Sequence, residues 1–204
     1  GLERFTAVES LLFPMIILII LGSIGWTTLV DISRNHRFAR LSLDTKLVVV
    51  TSLVLWVAGA IVLFFAEFSN PETQGGLSMV DRISDSIFHS VSGRTAGFTT
   101  FDFGNAEDFT KLTYPALMFI GGASGSVAGG IKVNTFALII AAVISSIKGR
   151  PQAEAYGREI SQHQVLRALT VGVLGVLFII LVMPTLTLTE PDIPFLDLLF
   201  DTVS

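Results

Sequence analysis

Apolar residues fall in four long blocks along the chain, with the polar positions gathered between them. The blocks are residues 11–30, 47–66, 112–147 and 168–189. A helix needs about 20 apolar residues to cross the hydrocarbon core of a bilayer, so each block is expected to span a membrane. The first holds Pro14, Gly22 and Gly25, the second carries no charge, and the fourth has Pro184 near its end. The third is interrupted by a glycine-rich run. A further pattern is different in kind. In SMVDRISDSIFHSVSG, residues 78–93, Met79, Ile83, Ile87 and Val91 recur every four positions, the stripe of a short amphipathic helix. Asp81 and Asp85 occupy its first half, where the positive end of a helix favours negative charge.

Composition supports the spans. The chain has 204 residues, of which 51% are apolar and 15% charged; soluble domains carry about 25% charge. An integral membrane protein is expected. The net charge of −4 argues against nucleic acid as a partner, and the hydrophobicity against disorder. The absence of cysteine removes disulfides, thiolate zinc sites and thiol nucleophiles together. His36, His89 and His163 lie far apart and make no metal site. Residues 2–9 carry Glu3, Arg4 and Glu9, which is not the pattern of a cleaved leader.

Charge also orients the spans. Residues 31–46 hold Arg34, Arg37, Arg40 and Lys46 against Asp31 and Asp44, and residues 148–167 hold Lys148, Arg150, Arg158 and Arg167 against Glu154 and Glu159. Residues 67–111 and 190–204 are acidic. Short basic loops stay cytoplasmic, so all four spans agree on one multi-pass topology in the cytoplasmic membrane. The short helix then begins and ends on the outer side, as a surface-lying or a re-entrant helix. The segment after it, Arg94-Thr95-Ala96-Gly97-Phe98-Thr99-Thr100, has no helical pattern. A helix that dips inward, followed by an extended return, makes a pore loop. Its C-terminal carbonyls would favour a cation at membrane depth, and the returning strand would offer carbonyls to a dehydrated ion. Gly97 supplies the backbone freedom this needs.

The runs SVSGRTAGFTT (90–100) and MFIGGASGSVAGGIKVNTF (118–136) resemble the TrkH/KtrB family of potassium-translocating membrane subunits. GSIGWTTLVDI (22–32), GREISQHQVLRAL (157–169) and PFLDLLFDTVS (194–204) are similar to neighbouring parts of that family. The resemblance implies an all-α integral membrane fold of tandem helix–re-entrant pore loop–helix repeats, four to a pore. Residues 1–32 would close the second repeat, residues 41–148 would form the whole third, and residues 160–204 would open the fourth. The chain would thus be a fragment.

The resemblance further implies potassium translocation through a filter formed by the backbone of Thr95, Ala96, Gly97, Phe98 and Thr99. Thr99 departs from the family pattern, where Asn or Ser is commoner, which leaves the ion preference open. No enzyme activity and no cofactor are implied, potassium being the transported ion. A second identical subunit and a cytosolic nucleotide-binding regulatory subunit are the implied partners.

The run Gly121, Gly122, Ala123, Ser124, Gly125, Ser126, Val127, Ala128, Gly129 and Gly130 is read in two ways. Its GxxxG spacings suit close helix packing, but each glycine costs a helix about 1 kcal/mol against alanine, which favours a broken helix. The resemblance makes it an intramembrane gating loop below the filter. GSVAGGIK (125–132) approaches a phosphate-binding pattern, but Ile131 separates the glycines from Lys132 and no strand precedes it. Lys132 either snorkels or places a positive charge at the gate. Arg94 is expected to support the filter by binding its backbone or by pairing with a carboxylate such as Asp85. Two other classes compete. A secondary transporter would bind substrate at the broken helix, but needs an inverted repeat. An intramembrane serine protease would use Ser124 or Ser126, with Lys132 as the available base.

Overall fold

The structure, a computed structural model, describes residues 9–94 and 96–203, with side chains from Leu11 onward. Eight α-helices follow in order: α1 (Glu9–Ile24), α2 (Trp26–Arg34), α3 (Leu43–Glu67), α4 (Met79–Ser92), α5 (Asp108–Phe119), α6 (Val133–Ile147), α7 (Gln162–Thr189) and α8 (Phe195–Val203). A two-stranded antiparallel hairpin, β1 (Ala153–Ala155) and β2 (Arg158–Ile160), lies between α6 and α7.

Two helices, α3 and α7, are each long and apolar enough to cross a membrane. The first apolar block departs from the straight span expected of it. It bends by 95° between α1 and α2, at Gly25, whose φ is +82°. A Cβ there would stand 2.7 Å from the Ser124 carbonyl oxygen, so the bend is set by a distant segment packed into it. The third block is broken as its glycines suggest, into α5 and α6. The fourth begins earlier than its apolar run, because Ser161 and Gln164 form a reciprocal capping box that starts α7 in polar sequence. The hairpin was not expected. Its turn places Tyr156 at φ +52° and Gly157 at +72°, the left-handed pair that a two-residue hairpin turn requires.

The packing is organised around α4. It lies against α3 and α1, while α3 also packs on α5 and α6. The α3–α4 approach is close: the Gly59 position abuts the Ser90 side chain, and the Ser90 hydroxyl donates to the Trp56 carbonyl at 2.6 Å. On the other side of α4, Leu63, Phe101, Phe103, Ala106 and Tyr114 form a buried cluster, joined by Phe200 from α8. The Phe103 ring lies 4.4 Å from Tyr114 and 5.0 Å from Phe200, within the range of favourable aromatic contacts. Lys111 on α5 pairs with Asp197 on α8 at 3.2 Å.

Candidate ion pathway

The candidate filter hangs from the C-terminal end of α4. Ser78 caps the helix start by accepting from the Asp81 amide at 3.3 Å, with Asp81 in the first turn. Two turns of polar and aromatic residues follow, buried from Asp85 to Ser92 except at Ile87. Beyond the helix, the Ala96 amide donates to the Ser92 carbonyl at 2.9 Å. The Ser92 hydroxyl then bridges Phe98: it donates to the Phe98 carbonyl at 2.6 Å and accepts from its amide at 3.1 Å. Thr95 lies outside the described residues. The carbonyls of Ala96, Gly97 and Thr99 accept no hydrogen bond among the described residues. Gly97 has φ +75°, and a Cβ built on it meets nothing within 4 Å. This position therefore faces open space and is held by its backbone conformation.

Arg94 leads away from this segment. Only 2% of it is exposed. Its Nε donates to the Ile120 carbonyl at 3.2 Å and its Nη2 to the Gly121 carbonyl at 2.5 Å. Its described partners are therefore at the first residues of the glycine loop, instead of the filter backbone or Asp85. The Trp56 ring lies 5.8 Å from the guanidinium carbon.

The loop between α5 and α6 is closed on itself at its neck. The Gly121 amide donates to the Ile131 carbonyl, and the Ile131 amide to the Phe119 carbonyl, each at 2.9 Å. The Val133 amide donates to the Gly122 carbonyl at 3.0 Å. Gly121 has no room for a side chain, because the Gly129 carbonyl oxygen occupies that place. The loop body rests in the Gly25 bend. The Ala123 amide donates to the Ser23 carbonyl at 2.8 Å. Asn134 accepts from the Ser124 amide at 2.9 Å and donates to Asp44 Oδ1 at 2.7 Å, which ties the loop to the first turn of α3. Lys132 turns back, its Nζ donating to the Ala128 carbonyl. Val127 projects from the loop, 94% exposed.

Several residues here carry no sequence motif of their own. Asp44, Ser92 and Asn134 are single polar side chains whose partners are remote in the chain or folded back on them, while Ser23 meets the loop through its backbone carbonyl. Asn134 had one signal, an amide in an otherwise apolar block. His89, read as ordinary from its isolation, is fully buried. Its spacing of four from Asp85 on an amphipathic helix marks the pair as sharing a face.

Comparison with known proteins follows from this geometry. The family model for the cation transport protein TrkH matches residues 2–204. The chain belongs to the TrkH family. The Ktr system potassium uptake protein B of Bacillus subtilis is 40% identical over 187 residues, covering 92% of this chain and 42% of that protein. The potassium/sodium uptake protein NtpJ of Enterococcus hirae is 33% identical over 178 residues, 85% of this chain and 38% of its own length. The crystal structure of the potassium transporter TrkH from Vibrio parahaemolyticus superposes with a TM-score of 0.68 at 19% identity, over 91% of this chain and 41% of that one. The last comparison establishes a shared fold. The chain thus spans about two fifths of the length of the relatives it matches.

Proposed function

We propose that this chain forms part of a potassium-translocating membrane protein and supplies one of four strands lining its filter. In this reading α4 is re-entrant, with its negative C-terminal end toward membrane depth. The backbone of Thr95, Ala96, Gly97, Phe98 and Thr99 returns outward along the ion path. The carbonyls of Ala96, Gly97 and Thr99 would face the ion, while that of Phe98 is engaged by Ser92. The segment from Gly121 to Gly130, with Lys132, is the gate below the filter. Residues 1–32 close the preceding repeat, residues 41–148 form a complete repeat, and residues 160–204 open the next. A second identical subunit and a cytosolic nucleotide-binding subunit complete the assembly.

The observation that carries this reading is the open backbone around Gly97. Its carbonyl accepts no hydrogen bond among the described residues, its φ is positive, and a side chain there would meet nothing within 4 Å. Such a conformation costs about 1–2 kcal/mol for a residue with a Cβ, so glycine is suited to it. Backbone carbonyls left without partners at membrane depth are tolerated where they line water or an ion path. The test is rubidium uptake by a full-length family member carrying this chain, reconstituted in liposomes. The expected result is saturable uptake, competed by potassium and much less by sodium. Equal competition by sodium, or uptake no higher than in empty liposomes, would contradict the proposal.

A further inference from the structure

A buried polar chain stands behind the candidate filter. Asp85, His89 and Gln74 are fully buried, and Thr100 is 2% exposed. The Thr100 hydroxyl donates to Asp85 Oδ1. His89 Nε2 lies 2.7 Å from the same hydroxyl oxygen. Gln74 Nε2 donates to Asp85 Oδ2 at 2.9 Å and to the Ser86 hydroxyl at 3.1 Å. A threonine hydroxyl has one proton, and here the carboxylate takes it. The Thr100 backbone amide donates to His89 Nε2 at 3.4 Å, so His89 meets both the hydroxyl and the backbone of Thr100. The His89 ring is fixed from the other side. It lies 4.2 Å from the Phe101 ring and 5.5 Å from Phe103, and its backbone carbonyl accepts from the Tyr114 hydroxyl at 3.1 Å.

We propose that Thr100, clamped between Asp85 and His89, fixes the outer end of the filter and is a specificity-determining residue, with Asp85 and His89 as positioning residues. The inference rests on the reading of residues 95–99 as the filter. Thr100 directly follows that segment, so any freedom at Thr100 passes to the Thr99 carbonyl. Ser92 holds Phe98 from the last turn of α4, and His89 and Asp85 hold Thr100 from about one and two turns earlier. The returning strand is thus attached to its own helix at Phe98 and Thr100 as well as at Ala96, while the Gly97 and Thr99 carbonyls accept no hydrogen bond among the described residues. Buried hydrogen bonds of this kind favour one geometry, because moving Thr100 away leaves Asp85 and the Nε2 edge of His89 without that partner in a low dielectric; His89 Nδ1 has no partner among the described residues. A carboxyl group buried this deeply needs hydrogen-bond partners, and Thr100 and Gln74 supply them to Asp85. Carbonyl spacing that discriminates between two cations of similar charge needs that kind of fixed attachment.

The test is the potassium-to-sodium permeability ratio, from reversal potentials, of a full-length family member carrying these residues. Thr100→Val keeps the shape and removes the donor. Loss of a hydrogen bond to a charged group shifts an equilibrium by about tenfold or more, and the ratio is expected to fall by about that factor while flux persists. Thr100→Ser restores the hydroxyl and is expected to keep the parent ratio. Asp85→Asn, which keeps the volume, is expected to lower the ratio as Thr100→Val does. Gly97→Ala serves as the control for the filter itself. If Gly97→Ala lowers the ratio and Asp85→Asn and Thr100→Val do not, the clamp is overturned and the filter reading stands. If none of the three alters the ratio, both are overturned. Should Thr100→Val fail to assemble, the ratios of Asp85→Asn and Thr100→Ser decide the proposal.

Discussion

Gly25 and Gly22 show how differently two glycines three residues apart are used. Gly25 combines φ +82° with a position 2.7 Å from the Ser124 carbonyl oxygen, whereas a Cβ on Gly22 meets only Val127 Cγ2 at 3.6 Å. Gly22 lies within α1, where alanine is favoured over glycine by about 1 kcal/mol. Gly22→Ala is therefore expected to leave the protein as stable as before or slightly more so. Gly25→Ala meets both a left-handed backbone and a carbonyl, and is expected to destabilise by about 2–3 kcal/mol. It also pushes the loop out of the bend that receives it, so in a full-length family member carrying the substitution basal ion flux is expected to rise. Thermal unfolding in detergent checks the first effect and liposome flux the second. Equal melting temperatures for the two variants would show that the bend does not depend on Gly25.

At the scale of elements, the loop between α5 and α6 is expected to act as a barrier. Its neck is held by backbone hydrogen bonds of Gly121, Gly122, Ile131 and Val133, all outside the loop's body. Residues 124–128 can therefore be removed while the neck remains joined, at a modest cost in loop closure. A full-length family member shortened in this way is expected to conduct more than its parent and to depend less on the proposed regulatory subunit, with cation preference unchanged. Flux measured with and without that partner is the check. A variant that inserts normally and conducts less would make the loop a packing element. The same element shows what could be read in advance. The break was legible in glycine content, and α4 in its four-residue stripe with acids at its start. The 95° bend was not, because Gly25 in an apolar run looks like any tolerated helix glycine until the Ser124 carbonyl is placed against it. The partners of Arg94 were hidden for the same reason: Ile120 and Gly121 are 26 and 27 residues away in the chain. The four-residue spacing of Asp85 and His89 went unused in the sequence, where His89 stood as an isolated histidine, and their link to Thr100 depends on where the chain turns back.

At the scale of the whole molecule, the chain spans about two fifths of the length of its relatives, and in the proposed reading it is a partial set of repeats. Apolar side chains cover the outside of α7, where Val173, Leu177, Phe178 and Leu181 are all exposed, and only 6% of its most apolar window is buried. Apolar residues of α1, α3 and α4, among them Ile16, Leu53, Val57 and Ile83, line an open groove of about 510 Å³. Expressed alone, the chain is expected to insert in a membrane without selective conduction, because it holds one complete repeat of the four proposed. Saturable rubidium uptake by liposomes containing this chain alone would contradict that architecture. The central claim is narrower: the backbone at Gly97 touches the permeating ion. Its most direct test is the potassium-to-sodium permeability ratio of a full-length family member carrying Gly97→Ser. A Cβ has open space at Gly97, so the variant is expected to assemble and conduct while its strained backbone displaces a carbonyl. The expected result is a ratio lower than the parent's by about tenfold; an unchanged ratio in a conducting variant would remove residues 95–99 from the ion pathway.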